Sequence, residues 1–171
     1  MEKPVFHIAV LMQRLALINR WQPYKWQVAG VLGATGDMAE TGAAPRTIVR
    51  HEDNLQRLYP GLDLTLHRDE SEGYYLNTTS GEARIFVMWR LHENRAGEED
   101  EAQPLLATLS YNEAARWMDA QEKVDSVPIL PELRPWLINY IQENYKPDVK
   151  KPRIRPKSFE SKEGRYKSGM Q

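Results

Sequence analysis

Apolar and polar positions alternate with a period of two over much of the first two-thirds of the chain, the spacing of half-buried strands. Leu62, Leu64 and Leu66 against Asp63, Thr65 and His67 give the cleanest instance. Lys25–Leu32 alternates as well, with Trp26, Val28, Gly30 and Leu32 on one side. Val5–Met12 is largely apolar and carries the β-branched Val5, Ile8 and Val10, a third strand. Thr47–His51 and Leu55–Tyr59 are short strand candidates. Arg84–Leu91 is apolar on both faces and reads as the centre of a sheet, and Leu105–Leu109 reads as the last strand.

The period changes after residue 109. Ser110 and Glu113 have capping-box spacing, in which each side chain serves an orphan N–H group of the first helical turn. The helix they open runs to about Ala120, with Ala114, Trp117 and Met118 facing inward. A connection over Val124–Leu130 leads to Pro131, which suits a first helical position. Leu133, Trp136, Leu137, Tyr140 and Ile141 then form one apolar stripe. Lys146-Pro147 ends this helix, and Pro147, Pro152 and Pro156 keep the C-terminal segment extended. Between the strands, Pro60-Gly61 reads as a tight turn, Gly33–Pro45 as a small-residue loop, and Glu93–Gln103 as an acidic loop.

These elements define an α+β class: a mostly antiparallel twisted sheet, or a small barrel-like core, of six to seven strands, with C-terminal helices and an extended basic tail. No helix separates the early strands in this reading, which favours hairpins over parallel crossovers. Residues 1–145 form a single α+β domain and residues 146–171 a basic, proline-containing tail, expected to be flexible.

Composition narrows the chemistry. The 171 residues include no cysteine, which excludes disulfides, thiolate metal sites and a cysteine nucleophile within the chain. The N-terminal residues lack the basic segment and apolar run of a signal peptide. No apolar stretch approaches the ~20 residues needed to span a bilayer. A cytoplasmic location without membrane insertion is the expectation. The net charge of −1 conceals a division. Lys146–Gln171 holds nine Lys/Arg and three Asp/Glu, a net of +6, whereas the preceding 145 residues carry −7. Such a tail suits an acidic partner or the acidic body itself.

Familiar catalytic patterns are absent. Val28-Ala-Gly-Val-Leu-Gly-Ala-Thr-Gly36 superficially matches a dinucleotide fingerprint, but residues 37–45 are too interrupted for the helix that would meet a pyrophosphate. The four histidines are scattered without ligand spacing, and neither a metal nor another cofactor is expected. His67, Asp69 and Glu70 form the one local knot of acid–base residues. Asn77-Thr78-Thr79 is a glycosylation sequon that lacks meaning without secretion. Trp89 and Trp136 are assigned to the sheet–helix interface, and Trp21, between Arg20 and Gln22, to the surface.

Several ordered segments together carry a resemblance. They are Asn19-Arg20-Trp21-Gln22 with Trp26, Leu66–Asn77, Phe86–Arg90, Leu109–Ala115, and the Val127–Tyr145 region with Trp136 before a basic tail. In these the chain resembles an uncharacterised bacterial family, often encoded beside molybdenum-dependent formate dehydrogenases and their maturation proteins. The resemblance implies no catalytic residues. It implies a cytoplasmic accessory or adaptor protein, not an enzyme, that assists assembly or maturation of such a molybdoenzyme by binding a formate dehydrogenase subunit or maturation factor. The expected contact face joins Arg20, Trp21 and Trp26 with Arg68, Asp69, Glu70 and Tyr74. Lys150, Lys151, Arg153 and Arg155 of the tail are expected to steer association. Two alternatives stand beside it: an enzyme acting on a small ligand in a sheet pocket through His67, Asp69 and Glu70, and a nucleic-acid-binding module using the tail. The acidic body opposes the last of these, so nucleic acid is not the expected partner.

Overall fold

The computed structural model describes residues 2–93 and 100–148. In chain order the elements are β1 (Val5–Ala16), β2 (Tyr24–Gly33), β3 (Arg46–His51), β4 (Asn54–Thr65), α1 (Ser71–Thr79), β5 (Arg84–His92), β6 (Glu101–Thr108), α2 (Tyr111–Asp119), β7 (Lys123–Pro128) and α3 (Leu133–Asn144). The seven strands form two antiparallel sheets, ordered β2-β1-β4-β3 and β6-β5-β7, and do not close into a barrel.

The core lies between the sheets. Ile8, Val10, Met12 and Leu64 from the first meet Ile85, Val87 and Trp89 from the second. Leu133, Leu137 and Ile141 bring the expected α3 stripe into the same cluster, with Phe6 tilted against Trp136 at 6.0 Å. β5 is central in its sheet, and its second face is covered by α2, where Phe86 meets Tyr111 edge-on. The Gly33–Pro45 loop is less idle than its composition suggests. Its short 3-10 turn, Gly36–Ala39, lays Met38 and Ala39 over Ala9 and Leu58 on the outer face of the first sheet.

Several local readings change. Pro60-Gly61 is not a turn. β4 runs straight through it, and the two residues stand opposite Ala9 alone, a bulge made possible by φ +85° at Gly61. A second bulge at Ala29 shifts the phase of β2, so Val31 turns inward and Leu32 is exposed. The Val124–Leu130 connection contains β7, which is therefore the last strand. Asp125 and Ser126 look unlike strand residues but have specific work there. Asp125 Oδ2 accepts the Val28 N–H at 2.9 Å, tying the edges of the two sheets, and Ser126 receives Arg84. Met118 is half exposed instead of inward.

The largest departure is α1, a helix between β4 and β5 where none was expected. Tyr74 joins it to the core, and its other fixings are polar. Asn77 is buried, donates to the carbonyls of Arg84 and Leu109 at 2.8 and 2.9 Å, and accepts the Arg84 N–H at 2.9 Å. The sequon asparagine is thus fully engaged inside the fold. Gly73 lets α1 approach Ser110 so closely that a Cβ at this position would stand 2.0 Å from Ser110 Oγ. Ser110 caps α2 by accepting the Glu113 N–H at 3.1 Å, whereas Glu113 reaches the Thr108 hydroxyl and not the Ser110 N–H of a full capping box.

Candidate functional site

β1 pairs with β2 on one side and β4 on the other, which sets the distance between the sites expected from sequence. Ala16 lies opposite Tyr24, beside the hairpin that carries Arg20 and Trp21, while Val5 lies opposite Thr65, just before Arg68. Twelve strand residues at ~3.3 Å each put these places roughly 35 Å or more apart. Arg20, Trp21 and Trp26 therefore do not share one face with Arg68, Asp69, Glu70 and Tyr74. The molecule has two ends instead of one joined surface.

At the first end the β1–β2 loop stands beside the β3–β4 turn, held by Ala16 N–H to Asp53 O at 3.1 Å. Leu17 N–H to Pro23 O closes the loop at 2.7 Å, and Asn19 Oδ1 accepts the Trp21 N–H at 3.0 Å, as short polar side chains do in turns. The loop backbone is organised, but its apolar side chains point to solvent. Ile18 is fully exposed and Trp21 is 91% exposed. A cleft of about 640 Å³ opens between the two tips, lined among others by Arg14, Tyr24, Arg50 and Asp53. The Arg14 guanidinium lies 4.3 Å from the Tyr24 ring centroid, a cation–π contact at its wall. Trp26 is half-buried against the main core and supports the end from beneath.

The 68–75 segment divides by role. Tyr74 is buried, accepts the His67 N–H at 3.0 Å and packs edge-on against Tyr140, so it offers no surface to a partner. Burial raises its phenol well above the usual tyrosine range. Glu70 turns toward α2, accepting the Ser110 hydroxyl and pairing with Arg116. It braces α1 to α2. Arg68 and Asp69 are exposed and line a second cleft, of about 560 Å³, with His67, Lys3, Tyr140 and Glu143. Burial also raises the Tyr140 phenol, with the Arg68 charge opposing that shift and Asp69 adding to it. Of the acid–base knot, His67 and Asp69 reach this cleft, and Glu70 is committed elsewhere. Among the described residues no group of three or more His, Asp or Glu side chains is placed to hold a metal ion. Lys150, Lys151, Arg153 and Arg155 lie outside the described residues.

The sequence matches the family described as protein of unknown function (DUF3305) over residues 7–155. The chain belongs to this family. The DUF3305 match takes in both hairpins, all three helices and the 67–69 wall of the second cleft. No curated protein and no solved structure matches the chain. No helix among the described residues is long and apolar enough to cross a membrane.

Sequence reasoning found Trp21 through its polar surroundings but missed Ile18, whose neighbours Leu17 and Asn19 give no signal of exposure. It also missed Lys3, Tyr140 and Glu143 as a group. They come from three distant segments, and no local pattern joins them.

Proposed function

We propose that this protein is a cytoplasmic, non-enzymatic accessory module that binds a protein partner through the paired hairpin tips. The observation that carries this reading is the exposure of Ile18 and Trp21 on a loop whose backbone is hydrogen-bonded in place. An isolated exposed apolar residue is ordinary, but a tryptophan and an isoleucine on one ordered tip form an anchor pair of the kind that dominates interface energetics. The loop is presented ready for contact, so little ordering entropy opposes binding.

Charge specifies the partner further. Arg20, Lys25 and Arg50 outnumber Glu52 and Asp53 at this end, although residues 1–145 are acidic overall. A partner surface with an apolar pocket rimmed by carboxylates complements it. The partner in this proposal is a subunit of a formate-dehydrogenase-type molybdoenzyme or one of its maturation factors. The tail, through Lys150, Lys151, Arg153 and Arg155, adds salt-sensitive steering toward the same acidic surface.

The test is retention of purified formate dehydrogenase subunits and maturation factors from the same cell, on wild-type protein and on the Ile18→Ser/Trp21→Ala variant. The expected result is capture of one such component by the wild type and at least a tenfold weaker interaction for the variant, in line with loss of an aromatic anchor. No capture by the wild type, or equal capture by both, overturns the proposal.

A further inference from the structure

The cleft at the opposite end of β1 has an unusual charge arrangement. Lys3, on the segment leading into β1, has its ammonium 3.2 Å from His67 Nδ1, a neutral acceptor when that nitrogen takes the hydrogen bond. Glu143, on the α3 wall, accepts from the Asn139 amide at 3.1 Å, again a neutral partner. Among the described residues no ion pair joins Lys3, Asp69 or Glu143 to an opposite charge, although all three line one cavity of about 560 Å³. Arg68 and the carboxylate of Glu2 line the cleft as well. Leu66 and Pro4 provide apolar wall, and the Tyr140 ring, itself seated on Tyr74, adds an aromatic surface with a neutral hydroxyl.

Lys3, Asp69 and Glu143, charges of both signs with no ion pair among the described residues, are together complementary to a ligand that carries both. An ordinary solvated surface has no need of such a cavity, and its size lies within the range of small-molecule sites. We propose that this cleft binds a zwitterion of amino-acid to dipeptide size, with its carboxylate on Lys3 and its ammonium on Asp69 and Glu143. The aromatic face of Tyr140 receives the ligand's side chain. Charge-assisted hydrogen bonds at both ends give the site its selectivity, because a ligand missing either charge leaves one partner unpaired. The site is independent of the hairpin tips and of any protein partner they engage.

The test is a titration of the full chain with alanyl-tyrosine, followed by calorimetry and by amide chemical shifts. N-acetylated and C-amidated forms of the same dipeptide are titrated in parallel. The zwitterion is expected to bind at millimolar concentration or below and to move the amide signals of His67, Asp69, Tyr140 and Glu143. Each blocked form should bind about tenfold more weakly. Lys3→Gln should erase the preference over the amidated form alone, and Glu143→Gln should reduce the preference over the acetylated form alone, with Lys3→Arg restoring the former. Absence of binding at millimolar dipeptide overturns the proposal, as does equal binding of all three forms. Because the three ligands are compared on the wild-type protein, the result does not depend on how well any variant folds.

Discussion

The α1 brace and the β1–β2 tip are built on opposite plans. Where α1 meets α2 and β5 its fixings are polar and closed in: Asn77 commits its amide to three backbone groups, Glu70 holds Ser110 and Arg116, and Gly73 admits Ser110. At the tip the side chains are apolar and open, and only the backbone is tied down. Each plan inverts the usual distribution of polar and apolar groups, for different reasons. Gly73 and Ser110 approach too closely to admit even a Cβ, and hydrogen bonds fix such geometry where packing alone would not. Ile18 and Trp21 lie almost wholly in solvent. On the proposed reading, stability and recognition lie in separate parts of the molecule, and the separation can be tested by perturbing each part.

The strongest perturbation is Gly73→Ala. A single methyl group there meets Ser110 Oγ at 2.0 Å, Ser110 Cβ at 3.0 Å and the Asn112 backbone nitrogen at 3.2 Å. Relief requires α1 to move away, which strains the Asn77 bonds, or Ser110 to abandon the α2 cap. The expected cost is about 3 kcal/mol, through overpacking and a lost cap, even though alanine is the better helix former by about 1 kcal/mol. Urea unfolding measures it. Pairing the change with Ser110→Gly should recover part of the loss, and failure to recover any would mean that the clash is not the cause.

A gentler probe uses pH. Tyr74, on α1, has its phenol raised above the unfolded value of 10.0, chiefly by burial. A group with a raised folded value contributes stability that is complete below the unfolded value and is lost as pH climbs above it. Stability should therefore fall above about pH 10, with a slope from this tyrosine of up to about 1.4 kcal/mol per pH unit. Tyr59 is raised in the same direction, by burial and by its hydrogen bond to Glu101, and adds to the slope. Unfolding free energies measured across this range should show a shallower slope for Tyr74→Phe, whatever that variant loses in absolute stability. An unchanged slope would mean that the Tyr74 ring is not sealed as the brace requires.

The same contrast explains what the sequence disclosed and what it hid. Period-two alternation in β1, β2 and β4 and the α3 stripe were legible because apolar contact with the core sets their spacing directly. α1 was not, because what it buries includes Ser71, Gly73 and Asn77, and no apolar stripe marks a helix held by hydrogen bonds. β7 was hidden for a related reason: Asp125 and Ser126 are poor strand formers held in position by partners on β2 and β5, distant in sequence. Pro60-Gly61 carries the signature of a turn and of a glycine bulge alike, and only the pairing of β4 with β1 distinguishes them. That pairing also sets Trp21 and Arg68 at opposite ends of β1. Trp21 announced itself locally, while Tyr74 and Glu70 looked equally available in sequence until tertiary contacts enclosed them.

The smallest expected effect is the most discriminating. If the tip contributes recognition and not stability, Trp21→Ala should change the unfolding free energy by no more than about 0.5 kcal/mol, as exposed substitutions do. Burying a tryptophan ordinarily makes its removal cost about 3–5 kcal/mol, so the two possibilities are well separated. The Asn19 turn depends on the Trp21 backbone N–H and survives the side-chain change. Ile18→Ser should be as mild, and the double variant additive, since neither side chain is buried against the fold. A loss above about 1 kcal/mol would show that the indole packs against the protein in solution. The tip would then belong to the stabilising part of the molecule, and its claim to be a docking surface would fail with it.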